Sequence, residues 1–86
     1  MNRDPLNNIP IQAAANATMT VIDALQNLSQ AEQVAGLTAA FKLVTDRFKM
    51  SPTDAFQIAH NFMHDAEGKR TEFKAVEMYL EHEFIN

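Results

Sequence analysis

A chain of 86 residues that is 47% apolar, with six Phe and only two Gly, can bury one hydrophobic core but not two. Its lack of cysteine excludes disulfide frameworks, thiolate metal sites and thiol nucleophiles, and fits a reducing cytoplasm. A net charge of −4 argues against binding phosphate backbones, which draws on clustered Lys and Arg, and the large apolar fraction excludes a disordered chain.

Residues 1–9 are polar, contain Pro5 and show no periodicity, so they are expected to form a flexible arm ahead of a single helical domain over 10–86. The first residues lack the apolar stretch of a secretory leader, and no apolar run nears the ~20 residues needed to span a bilayer, so no membrane association is expected.

Ile11, Ala14, Ala15, Thr18, Val21, Ile22, Leu25 and Leu28 recur at helical spacing, with Gln12, Asn16, Thr20, Asp23 and Asn27 opposite, predicting a first helix over 11–28. Ser29-Gln30-Ala31-Glu32 is a capping box, in which the serine accepts from the Glu32 amide while Glu32 reaches back. It opens a second helix over 30–49. There Val34, Leu37, Phe41, Val44 and Phe48 form a main stripe, and Gly36, Ala40 and Leu43 adjoin it. The apolar arc covers roughly half the circumference, wider than the ~100° stripe a surface helix needs. This helix is therefore expected to be central, with Gly36 and Ala40 admitting a close neighbour. Glu32 early and Arg47 and Lys49 late suit its dipole.

Ser51-Pro52-Thr53-Asp54 repeats the start grammar and predicts a third helix over 52–67, carried by Ala55, Ile58, Ala59, Phe62 and Ala66 and closed by Gly68 as a left-handed cap. Lys69 and Arg70 make the turn. Thr71 then caps a fourth helix over 72–84, with Phe73, Val76, Leu80 and Phe84 on one face. The fold class expected is all-α, a small bundle of four helices with short connections.

Few residues suggest chemistry. His60 and His64 share a helix face, as a divalent metal pair requires, but no glutamate stands between them in the zinc-protease pattern and both lie on the polar side. They are weak metal candidates, and no cofactor is expected. Two distant glycines cannot make a phosphate loop, and Ser29 and Ser51 read as caps rather than nucleophiles, so the chain is expected not to be an enzyme. Lys69, Arg70, Thr71 and Lys74 cluster where a helix-turn-helix would meet DNA, although Glu72, Glu77 and Glu81 oppose it. On the back of the fourth helix, Ala75, Met78, His82 and Ile85 form a second stripe opposite the Phe73/Leu80 stripe. That is the expected partner interface, toward a second copy or a groove-bound helix.

The run from Leu28-Ser29-Gln30-Ala31-Glu32-Gln33-Val34-Ala35-Gly36-Leu37 through Phe41 and Arg47-Phe48 to Ser51-Pro52-Thr53-Asp54-Ala55 resembles small uncharacterised proteins of tailed bacteriophages. The resemblance covers the second to fourth helices, contains no diagnostic motif and carries over no functional residues. It implies an accessory protein in the host cytoplasm that binds a host or phage protein. The sequence as a whole reads as a non-enzymatic, self-associating protein-interaction module. The alternative is a small DNA-binding regulator using the turn before the fourth helix.

Overall fold

The computed structural model describes residues 2–84. The elements in chain order are α1 (Asp4–Asn7), α2 (Ile11–Leu25), α3 (Gln30–Arg47), α4 (Pro52–Met63), β1 (His64–Asp65), β2 (Gly68–Lys69) and α5 (Thr71–Glu83). The protein is mostly helical, as its periodicity predicts, with one short antiparallel hairpin that periodicity does not.

Both serine caps form. Ser29 accepts from the Glu32 amide at 3.2 Å while Glu32 accepts from the Ser29 amide at 3.0 Å, and these bonds hold the Glu32 carboxyl below its ordinary pKa. Ser51 accepts from the Asp54 amide at 3.4 Å. The first long helix starts at Ile11, as the sequence suggests, while several other helix ends depart from the sequence reading. Within the segment expected as an arm, residues 4–7 form a single helical turn against α4. Arg3 pairs with Asp54 at 2.9 Å, and Leu6 packs on Met50, Ala55 and Ile58.

The first long helix stops at Leu25 rather than 28. The Gln33 amide donates to the Leu25 carbonyl at 2.9 Å, so a side chain from α3 takes an acceptor that a helix end leaves open. α3 stops at Arg47 through a paired C-terminal motif. Lys49 N–H donates to the Asp46 carbonyl at 3.1 Å and Met50 N–H to the Thr45 carbonyl at 2.9 Å. Lys49 stands at φ 56°, the left-handed position usually given to glycine, and Met50 is buried beneath it.

α4 stops at Met63, four residues short of the expected end. His64 pairs with Lys69 and Asp65 with Gly68, Arg70 N–H donates to the Met63 carbonyl at 2.8 Å, and the Asp65 carboxylate accepts from the Glu67 amide at 2.9 Å. Gly68, at φ 120°, therefore turns a hairpin instead of capping a helix. Thr71 is the first residue of α5 and its hydroxyl donates to Glu72, so it is not the cap the sequence suggests.

The long helices pack as two pairs, α2 with α5 and α3 with α4. Ala14, Ala15, Ile22, Phe73 and Val76 fill the first pair, while Met50, Ala55 and Ile58 fill the second. Phe62 packs against both clusters and lies 5.7 Å, ring to ring, from Phe73. Near the end of α2, Tyr79 donates to Asp23 and accepts from Gln26 at 2.7 Å. The bond to the Asp23 carboxylate, with a smaller part from desolvation, raises the Tyr79 pKa. The Cα framework measures 37 × 32 × 17 Å, about two helices deep and broad in both other directions.

Candidate functional site

α3 is not the enclosed central helix that its apolar arc suggests. Its buried residues are Gln33, against the end of α2, and Thr45, whose hydroxyl donates to the carbonyls of Phe41 at 2.9 Å and Lys42 at 3.0 Å. By helix geometry these two lie on opposite flanks of the main stripe. The rest of the protein grips α3 by its edges, and the stripe between them faces outward.

That stripe has the alternating three- and four-residue spacing of a two-helix seam: Val34, Leu37, Phe41, Val44 and Phe48. Val34 is 67% exposed, Leu37 47% and Val44 53%, with Leu43 beside them at 68%. Only Phe41 turns partly inward, its ring 4.9 Å from that of Phe56 on α4. Gly36 has open space where a Cβ would stand, so no neighbour uses the close approach it offers.

Beside the seam, α3 and α4 enclose an open hollow of about 590 Å³. Phe41, Val44 and Phe48 line one wall, Ala55, Ala59 and Phe62 the other, and Leu6 and Met50 the end. Almost no polar atom faces it. Such a hollow has the shape and apolar lining that suit apolar groups, with Thr45 its one hydroxyl-bearing lining residue.

The residues singled out from sequence fall elsewhere. On α5, Ala75, Met78 and His82 are all exposed, Met78 at 59%, while Ile85 lies outside the described residues. Met78 sits in a shallow depression among Lys69, Lys74, Glu77 and Glu81, so its exposed side chain is ringed by charge. In the basic cluster, Lys69 is half-buried and ion-paired with Glu77. Arg70 is half-buried too, its Nε shielded and without a hydrogen-bond partner among the described residues. Thr71 and Lys74 are exposed. The connection before α5 is thus a β-hairpin in which Lys69 is paired with Glu77, rather than the open turn of a helix-turn-helix.

His60 and His64 do come together, their rings stacked with centroids 4.3 Å apart. His64 Nδ1 lies 2.8 Å from the His60 carbonyl and is committed as a donor there, leaving Nε2 as its free nitrogen. Among the described residues no group of three or more His, Asp or Glu side chains converges as a metal site would require.

In class, then, this is a small, mostly helical protein that leaves an apolar helix face and an adjoining hollow open to solvent. No described helix is long and apolar enough to cross a membrane. Comparison with protein-family models, curated proteins and solved structures finds no match to the chain.

Proposed function

We propose that the protein is a non-enzymatic interaction module that binds protein through a helical surface. The observation behind this reading is the outward-facing stripe of α3. Exposed apolar residues scattered singly are ordinary, but a continuous seam at heptad spacing is the pattern by which one helix recognises another. The stripe on α5 offers a second, smaller surface for the same kind of contact. The four-helix bundle suggested by the capping signals belongs to this reading as well, formed by the chain's own α2, α3, α4 and α5. The tailed-phage resemblance would place the module in the host cytoplasm as an accessory protein.

A photo-crosslinking residue at Leu37 tests it directly. Installed there and expressed in the native host, it should give a covalent adduct with protein, whether its own copy or another. The same residue at Asp46, on the polar side of α3, should give none. Absence of adducts from position 37 would end the proposal.

A further inference from the structure

We infer that residues 3–8 form a detachable strap across one end of the α3/α4 hollow, with Leu6 as its plug and the Arg3–Asp54 pair as its latch. Such a strap works whatever the α3 face binds, so it stands apart from the interaction reading above.

Between Asn2 and Asn8, Leu6 is the one large apolar side chain. It packs on Met50, Ala55 and Ile58 and forms part of the end wall of the hollow. No residue of α1 is itself buried. The hydrogen bonds of the segment, among the described residues, are nearly all internal. The Asn2 side-chain oxygen accepts from the Asp4 amide at 3.0 Å, and the Asn8 side chain donates to the Asp4 carbonyl at 2.9 Å. Asn7 N–H donates to the Arg3 carbonyl at 2.9 Å. The exception is the Arg3–Asp54 ion pair at 2.9 Å, whose side chains stay 59% and 47% exposed. Pairs so open to water hold weakly, and a four-residue helix has no stability of its own. One leucine and one screened ion pair therefore keep the segment down.

The far end is fixed. Ile9 packs on the α2/α5 cluster, and Pro10, at φ −58° and ψ 134°, leads directly into α2. Leu6 and Ile9 thus rest on different clusters, and the hinge falls between them at Asn7 and Asn8. Lifting the strap breaks no backbone hydrogen bond of α2, α3 or α4. It uncovers the faces of Met50, Ala55 and Ile58 that Leu6 covers, and the hollow lengthens toward the start of α4. An apolar group entering the hollow competes with Leu6 for that end. Its apparent affinity falls as the fraction of molecules with a closed strap rises.

Amide hydrogen exchange on the intact chain reads the strap directly. The Asn7 and Asn8 amides should exchange roughly 100-fold faster than those of Ile58 and Ala59 inside α4, because opening the strap leaves α4 folded. Leu6→Gln should raise the affinity for Nile red, a neutral apolar dye, about threefold or more, with helical circular dichroism unchanged. Arg3→Glu, which sets like charge beside Asp54, should raise it too while keeping the leucine. Val44→Glu, on the wall of the hollow at 53% exposure, should remove most of the dye signal when added to either variant.

Strap and α4 amides exchanging at one rate would make the segment part of the cooperative core and overturn the strap. Dye affinity equal to the parent's in Leu6→Gln overturns the plug. A gain in Leu6→Gln with none in Arg3→Glu overturns the latch. A gain that Val44→Glu leaves in place puts the dye elsewhere and overturns the link to the hollow.

Discussion

At the scale of single residues, the sequence is most informative where the physics is local. Ser29 and Glu32 are three apart and satisfy each other, so their capping box is visible in the letters alone. Gln33, one position on, looks like any polar residue of a helix surface. It is buried because the open carbonyl of Leu25, on another helix, needs a donor, and no spacing rule carries that information. Lys49 is a similar case. Nothing in its type announces a left-handed backbone; the bonds from Lys49 and Met50 back to Asp46 and Thr45 impose it. A side chain with a Cβ is strained there, so Lys49→Gly should stabilise the protein by about 1 kcal/mol, read from the urea midpoint at unchanged slope. A loss of stability would mean that the Lys49 side chain makes a contact outweighing the strain.

Among the elements, starts were legible and several ends were not. The starts of α3 and α4 carry serine caps, so their first residues fall where the sequence puts them. The ends are set by particular bonds, from another helix at Leu25 and within the local chain at Arg47 and Met63. Residues 64–67 continue the apolar and polar pattern of α4 well enough to pass for helix, yet the Asp65 carboxylate takes the Glu67 amide and the chain turns back as a hairpin. Gly68 signals a left-handed residue in either case, and its identity alone could not decide between a helix cap and a hairpin turn. Gly68→Ala has room for its methyl but not the backbone freedom. The substitution should cost about 1–2 kcal/mol by thermal melting, with helical content kept. No change in melting temperature would show that the hairpin contributes nothing to stability.

Seen as a whole, the chain displays a stripe on α3 that periodicity finds without trouble, but periodicity cannot say which way a stripe points. A wide apolar arc is equally consistent with a helix enclosed by its own chain and with one left open on that face, and only the packing of α4 and the end of α2 shows that the face is open. The α5 stripe suggests an interface by the same logic; of it Ala75, Met78 and His82 are exposed, with Met78 among Lys69, Lys74, Glu77 and Glu81, and Ile85 lies outside the described residues. How helices pair is a matter of tertiary contact, and so neither the two separate clusters nor the flat outline has a sequence signature.

The side chain common to both clusters is Phe62, and its position bears on how the protein melts. Each helix pair is too small to hold its shape for long alone, so all-or-none unfolding depends on the energetic link between them. Phe62 is the apolar side chain packed on both clusters, beside the Gln33 bond to the Leu25 carbonyl that also joins the pairs. Phe62→Ala should therefore split a single sharp transition into two broader ones, with amides of α3 and α4 exchanging with solvent before those of α2 and α5. If that variant still melts in one step with uniform exchange, cooperativity passes between the halves by another route.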